Sequence, residues 1–198
     1  FARITGALSA PSRLKLLDRL CQGEQTVEEL ASGADLSVSN ASRQLRILAD
    51  CGLANIRREP PRVYYRVSDE AVVQFWFALR NLARERLVEL DRIAGELISG
   101  RDPVLPMSRV ELRARMDAGE VVLIDVRPEP EYRAGHIPGA LMVPVAELDA
   151  RLSALPAGKE VVAYCRGPYC LLAVEAVERL RALGVPAVRL EDGFPEWK

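Results

Sequence analysis

The chain has 198 residues, with 27 Lys plus Arg against 28 Asp plus Glu, one His, four Cys and 49% apolar residues, the composition of an ordinary globular protein of one large domain or two small ones. A net charge of −1 gives no global electrostatic case for nucleic-acid binding. No apolar run approaches the roughly 18–20 residues of a bilayer span, and Phe1-Ala2-Arg3-Ile4 has neither the basic nor the apolar segment of a secretory signal, so no membrane partner and a cytoplasmic location are expected.

The first half reads as helical, with apolar residues at helical spacing in Leu14, Leu17, Leu20 and again in Val27, Leu30, Leu36. Between Gln25 and Leu48 the pattern fits a helix-turn-helix. Thr26 caps a helix with Glu29 at the capping-box position, Gly33 and Asp35 make the turn, and Ser37 caps a second helix from Val38 to Ala49. That second helix sets Ser39, Asn40, Ser42, Arg43, Gln44 and Arg46 among the apolar anchors Ala41, Leu45 and Leu48. Arg pairs with guanine, Asn or Gln with adenine, and Ser with base or phosphate, so these types suit a recognition helix. Two strand-forming pieces around Pro60-Pro61 follow, loaded with Arg57, Arg58, Arg62 and Arg66, and read as a β-wing. Residues 36–68 hold six Arg against Asp50 and Glu59, a local +4 that makes a phosphate-contacting surface and points to double-stranded DNA as partner.

From Asp69 to Ile98 the pattern predicts a single helix of about 30 residues, reaching about 45 Å at 1.5 Å per residue. Phe75, Leu79, Leu82, Leu90, Ile93 and Leu97 recur at spacings of three and four, an apolar face longer than the local core. It either bridges domains or, the preferred reading, pairs with a second copy. Ser99-Gly100-Arg101-Asp102-Pro103-Val104-Leu105-Pro106 has the composition of a helix stop and linker. The predicted domains are thus 1–98 and 107–198, joined by 99–106.

Leu36-Ser37-Val38-Ser39-Asn40-Ala41-Ser42-Arg43-Gln44-Leu45-Arg46-Ile47-Leu48, then Gly52-Leu53 and a wing ending Tyr64-Tyr65-Arg66, resembles the ArsR-type winged-helix repressors. The resemblance implies a homodimer, paired through the N-terminal helix and the 69–98 helix, that leaves its operator when an inducer binds. It also implies where metal sensors of the family carry ligands. Thr26–Ala31 holds no Cys and Asp69–Ile98 neither Cys nor His, so no metal is expected. Cys21 has no Cys on the last helix to pair with; Cys21 and Cys51 either approach each other or, the preferred reading, are small buried apolar residues.

Beyond the linker, Val121–Val126 and Glu160–Cys165 are short continuous apolar runs alternating with helical patterns at 147–155 and 171–183, the signature of a parallel α/β sheet. The second strand runs into Cys165-Arg166-Gly167-Pro168-Tyr169-Cys170 ahead of a helix. A Cys there meets loop N–H groups and the positive helix end, so a lowered pKa and a nucleophilic thiolate are expected. Such a loop serves sulfur transfer or phosphate-ester hydrolysis. The latter needs an Arg six residues after the nucleophile, where this chain has Leu171, and is disfavoured.

Asp125-Val126-Arg127, Glu131 to Ala140 with His136-Ile137-Pro138-Gly139, and Glu191-Asp192-Gly193-Phe194-Pro195-Glu196-Trp197 resemble a single rhodanese domain. The resemblance implies Cys165 as the sulfur-accepting catalytic residue, Arg166 to Cys170 as its pocket, Asp125 and Arg127 as organising charges, and a small sulfur donor (persulfide, polysulfide or thiosulfate) with no cofactor. His136 is read as structural rather than catalytic. Pro168 removes one cradling N–H and Tyr169 is bulky, which argues against efficient turnover with thiosulfate. Cys170 either attacks a Cys165 persulfide as a resolving thiol or simply starts the next helix. Three functions remain in view: a sulfur-responsive repressor, a working sulfurtransferase with a DNA-binding localisation module, and an interaction module with an unreactive Cys165.

Overall fold

Apolar residues at helical spacing close the first part of the chain on one core, and buried strands close the second on another. The computed structural model describes residues 1–198 apart from Pro103, Ala157 and Lys198, and all of their side chains except those of Asp91, Ala94, Gly95 and Ser99. The chain divides into two units, Phe1–Leu82 and Ala83–Lys198.

In the first unit, α1 (Ala2–Leu8) and α2 (Pro11–Gln22) precede a two-residue strand β1 (Gln25–Thr26), α3 (Val27–Gly33), α4 (Val38–Asp50) and the hairpin β2 (Ala54–Glu59) and β3 (Arg62–Val67), and α5 (Glu70–Arg86) runs from it across the Leu82–Ala83 boundary. Leu16, Leu17, Leu20, Leu30, Leu45 and Leu48 are completely buried, joined by Cys21 and Trp76; the Trp76 indole N–H donates to Asp18 Oδ1 at 3.0 Å. The capping box forms as the sequence predicts. Glu29 N–H donates to Thr26 Oγ1 while Thr26 N–H donates to Glu29 Oε2 at 2.8 Å. Ser37 accepts from Asn40 N–H at the start of α4. The turn between these helices carries Asp35 in the left-handed conformation (φ 57°). The sheet order is β1-β3-β2, all antiparallel, with Arg57 opposite Tyr64 and Arg58 opposite Val63. β1 has too few residues for any periodicity to announce it.

The uninterrupted helix predicted over 69–98 is corrected. α5 ends at Arg86, Leu87 is non-helical, and α6 (Val88–Ala94) continues into a π-helical turn over Gly95–Ser99. Neither Pro nor Gly causes the break. Residues on both sides of it, Leu82, Glu85, Arg86, Leu87 and Val88, are exposed, so no tertiary packing enforces helical continuity, and packing is what stabilises most protein helices.

The second unit continues with α7 (Arg109–Asp117), β4 (Val121–Asp125), α8 (Glu129–Ala134), β5 (Leu141–Met142), α9 (Leu148–Arg151), β6 (Glu160–Tyr164), α10 (Leu172–Ala182), β7 (Ala187–Arg189) and α11 (Phe194–Trp197). The helix expected over 147–155 is instead one turn of α-helix, α9, flanked by 3₁₀ turns. The parallel sheet has the order β5-β4-β6-β7. Val122, Ile124, Val161 and Ala163 enter one apolar cluster, and Val121, Leu123, Val162 and Tyr164 another. Alternate residues of each strand are therefore buried on opposite faces, which explains the unbroken apolar runs. Pairing of Asp125 with Tyr164 brings the C-terminal ends of β4 and β6 together, so Asp125 and Cys165 rise from neighbouring strands at the middle of the sheet.

Within the predicted linker 99–106, of which Pro103 lies outside the described residues, two side chains are held against α10. Asp102 is buried and accepts from Arg181 Nη1 of α10 at 2.8 Å, with Arg189 Nε 3.3 Å from its other oxygen. Beside it, Arg101 pairs with Glu178, also on α10.

Candidate functional site

Two surfaces carry the residues singled out by the sequence. On α4, the Leu45 and Leu48 side turns inward while Ser37, Ser39, Ser42, Arg43 and Arg46 are exposed. Asn40 and Gln44 are only partly exposed. Asn40 Oδ1 accepts from Arg43 Nη2 at 3.2 Å and from Gln44 Nε2 at 3.1 Å, and Gln44 Oε1 accepts from Arg13 Nη1 at 2.8 Å. Arg13 also donates to the Ala7 and Gly6 carbonyls, so this chain of bonds ties α4 to the α1–α2 corner. Gln44, read from sequence as a base reader, is thus partly committed to the fold.

In the wing, Arg58 and Arg62 are exposed. Arg57 differs. It makes a bidentate pair with Glu24 (3.1 and 2.7 Å), a second pair with Glu59 (2.6 Å), and lies 4.1 Å over the Tyr64 ring. Two carboxylates offset its charge while the side chain stays half exposed. Glu24 lies 33 residues from Arg57 outside the counted window, so the local charge tally overstated the cationic surface.

The second surface is the loop after β6. Cys165 is buried, and its Sγ–H donates to the Cys170 carbonyl at 3.4 Å. Backbone N–H groups of Gly167 and Ala173 point at its sulfur, as expected of a loop that opens a helix. Cys170 is half-buried, with its thiol in hydrogen-bond contact with that of Cys165 and Arg166 Nη1 4.0 Å from its sulfur. The expectation of a low pKa at Cys165 itself is corrected. Burial pushes the Cys165 thiol well up, reinforced by its bond to Cys170. Cys170 is lowered to about 6, first by the hydrogen bond from Cys165 and then by the Arg166 charge acting against burial. Burial thus disfavours a thiolate on Cys165, while the Cys165 contact and the Arg166 charge favour one on Cys170.

The charges around the loop are all paired. Arg166 makes a bidentate contact with Glu131 at 2.7 and 2.9 Å, with the carboxylate side chain 2% exposed. Arg127 and Asp125 form a fully buried pair, with Nε to Oδ1 at 2.9 Å and Nη2 to Oδ2 at 2.6 Å. The Tyr164 hydroxyl donates to Asp125 Oδ2 at 2.6 Å and accepts from Ile137 N–H, while Arg127 also donates to the Gly135 carbonyl and lies 4.7 Å from the Phe194 ring centroid. Burial beside Asp125 holds the Tyr164 phenol far above its usual range, so it acts purely as a neutral donor. Asp125 and Arg127 are therefore braces for the 135–137 loop. His136 is exposed and stacks on Tyr132 at 3.8 Å.

Three residues of this site had no assigned role in the sequence reading: Glu131, Tyr164 and Gly193. A Cβ on Gly193 would lie 2.3 Å from the Arg166–Gly167 peptide, so the closing segment abuts the thiol loop directly, and Phe194 N–H donates to the Cys165 carbonyl. The only sequence signal for them was membership of the quoted motifs. Pro168 is half-buried and Tyr169 exposed at the loop tip. Far from this loop in sequence, Cys21 lies in the first unit's core and Cys51 is half-buried, its Sγ–H directed to the Arg3 carbonyl at 3.7 Å; both are reduced.

Residues 10–55 match the family described as "Bacterial regulatory protein, arsR family", and residues 108–198 match the one described as "Rhodanese-like domain". Over 197 residues the chain is 42% identical to the HTH-type transcriptional regulator Rv0324 of Mycobacterium tuberculosis, covering 100% of this chain and 86% of that protein. Its first part is 38% identical over 98 residues to a probable mercury resistance operon repressor of Streptomyces lividans (48% of this chain, 78% of the other). Its second part is 33% identical over 104 residues to the thiosulfate:glutathione sulfurtransferase of Homo sapiens (46% and 90%). No helix among the described residues is long and apolar enough to cross a membrane.

Proposed function

Because the chain belongs to the arsR-family HTH transcriptional regulators and carries a C-terminal rhodanese-like domain, we propose that it is a dimeric operator-binding repressor that senses reactive sulfur by accepting a sulfane sulfur on Cys165. Ser39, Ser42, Arg43 and Arg46 read base edges or adjacent phosphates, and Arg58 and Arg62 hold phosphates from the wing. Exposed Phe1 and Ile4 near α1 and Phe75 and Leu82 on α5 support pairing of two copies through these helices.

The observation that carries the sensing role is the placement of Cys165 at the end of β6, its sulfur met by the Gly167 and Ala173 N–H groups and set beside Cys170 ahead of α10. Cys170 takes the Cys165 proton, the Cys165 thiolate attacks the terminal sulfur of a persulfide or polysulfide, and the donor leaves as its thiolate. α10 then links this event to the helical arm. Its first residues follow the thiol loop, and Glu178 and Arg181 near its other end grip Arg101 and Asp102, which continue the chain from α6. Sulfur loading that shifts the α10 N-terminus acts on the segment leading to α5, and operator affinity falls.

The test is operator binding by the full chain before and after treatment with sodium tetrasulfide, using a DNA site selected from a random pool. Wild type is expected to lose affinity on treatment and Cys165→Ser to keep it; sulfur-dependent release by Cys165→Ser at the wild-type level overturns the proposal. A second reading, a turning-over sulfurtransferase, is favoured by the similarity of the second half to a sulfurtransferase. Repeated turnover with thiosulfate and cyanide supports it, and single stoichiometric loading opposes it.

A further inference from the structure

The loop holds a second sulfur whose presence the acceptance of one sulfane sulfur does not require. Cys170 is held in contact with Cys165, by the backbone N–H groups of Arg166 and Leu172 and by a guanidinium 4.0 Å away, and that guanidinium is fixed in place by Glu131. A helix start needing only a small apolar residue would gain nothing from a paired, largely covered arginine beside its sulfur. Cys165 is almost fully buried, whereas Cys170 is half-buried. Pro168 gives the loop one N–H fewer with which to hold the outer sulfur of a persulfide.

We infer that Cys170 is a resolving nucleophile: it attacks Sγ of a Cys165 persulfide, expels hydrosulfide and closes a Cys165–Cys170 disulfide. The inference rests on sulfur acceptance at Cys165 as proposed above. In the first step the Cys165 proton passes to Cys170, the Cys165 thiolate takes the outer sulfur of a persulfide donor, and the donor thiolate leaves with the proton from Cys170, so that Cys170 is again a thiolate. In the second, the Cys170 thiolate forms a bond to Cys165 Sγ as the bond from that atom to the outer sulfur breaks. The outer sulfur leaves with the bonding electron pair as hydrosulfide. The two cysteine sulfurs are oxidised by two electrons and the sulfane sulfur is reduced to sulfide, so no further oxidant is needed. Hydrosulfide is a weaker base than an alkyl thiolate, which favours its departure. With Cys165 in the persulfide form, the Arg166 guanidinium 4.0 Å from Cys170 and the backbone N–H groups of Arg166 and Leu172 still favour the attacking thiolate. The loop would then record sulfane sulfur as an internal cross-link at the N-terminal end of α10, rather than as a persulfide open to other thiols.

The reduced full-length protein is treated without oxygen with one equivalent of glutathione persulfide, and the thiol-loop peptide and free sulfide are followed by mass spectrometry and a bimane trap. Wild type is expected to lose two hydrogens from the 165–170 segment and release one sulfide per chain. Cys170→Ser and, as a second variant, Cys170→Ala, each checked for native circular dichroism, retain one extra sulfur on Cys165, with sulfide release slowed about tenfold or more. A wild-type Cys165 persulfide that lasts as long as in the Cys170 variants overturns the inference and leaves sulfur acceptance intact. If wild type and variants all take up no sulfur and release none, acceptance at Cys165 fails and the inference with it. Loading of Cys170 in Cys165→Ser at the wild-type rate also overturns it, since Cys170 would then be the acceptor.

Discussion

The helix-turn-helix and wing keep their arginines in water, whereas the thiol loop keeps its arginines under protein. Arg43, Arg46, Arg58 and Arg62 are exposed, while Arg127 is fully buried against Asp125 and Arg166 is held by Glu131. An exposed charge contributes little to stability and remains available to a phosphate, with its strength set by salt. A buried pair costs desolvation and becomes a liability when one partner is lost. In the function proposed above, the first region meets a large anion from outside and the second holds one small anionic sulfur in a fixed place.

The contrast is broken most severely at Asp125. Asp125→Ala leaves Arg127 buried without its carboxylate and Tyr164 without its acceptor, and is expected to destabilise the second unit by about 3–5 kcal/mol. Denaturant unfolding followed through Trp197 in a Trp76→Phe background measures this, and a loss below 1 kcal/mol, the range of an exposed pair, would place the pair among surface bridges. Gly193→Ala comes next. A methyl carbon 2.3 Å from the Arg166–Gly167 peptide forces the loop to move, and iodoacetamide alkylation of the loop thiols is expected to change by about tenfold or more while the fold is retained. An unchanged rate would show that the loop's reactivity does not depend on this contact.

The thiol pair has a pH signature. In wild type one loop thiolate should appear as pH rises through about 6, and reactivity is lost as pH falls below that value. In Cys165→Ser the hydrogen bond that lowers Cys170 most strongly changes partner from a thiol to a hydroxyl, and in Cys165→Ala it is gone. The Cys170 midpoint should then rise toward the ordinary cysteine value of about 8.5. An alanine variant that still titrates near the wild-type value would assign the effect to Arg166 instead.

On the exposed surface the effects are smaller. Arg43→Ala is expected to cost about 1–3 kcal/mol in operator affinity and to relax preference at one base position. Arg58→Ala should weaken all sequences alike and reduce the salt slope by about 1. Arg57→Ala should change the slope least, because Glu24 and Glu59 already offset that charge. A slope change at Arg57 equal to that at Arg58 would mean that DNA displaces both carboxylates.

The same contrast explains what could be read from the residues. The capping box of Thr26 and Glu29, the Ser37 cap and the β2–β3 hairpin arise from neighbours in sequence, and alternate burial of β4 and β6 follows from their apolar runs; these were legible. Contacts across long separations were not. Glu131 and Arg166 are 35 residues apart, and Asp102 and Arg181 are 79 apart. No local spacing announces either pair, so the sequence placed Arg166 only in the loop around Cys165 and Asp102 only in the linker. The break at Leu87 was hidden for the opposite reason: the apolar period persists through it, but no packing in the single chain enforces the helix. Cys165 stood out by position, whereas the charge preference for Cys170 depends on burial, which the sequence does not display.

The most direct measurement titrates sodium tetrasulfide stepwise into the full-length protein and, on the same samples, determines modification of the 165–170 peptide and the fraction bound to operator. Loss of DNA binding is expected to follow modification of this loop in proportion. Full modification with unchanged affinity, or release from DNA with the loop unmodified, would contradict sensing through Cys165.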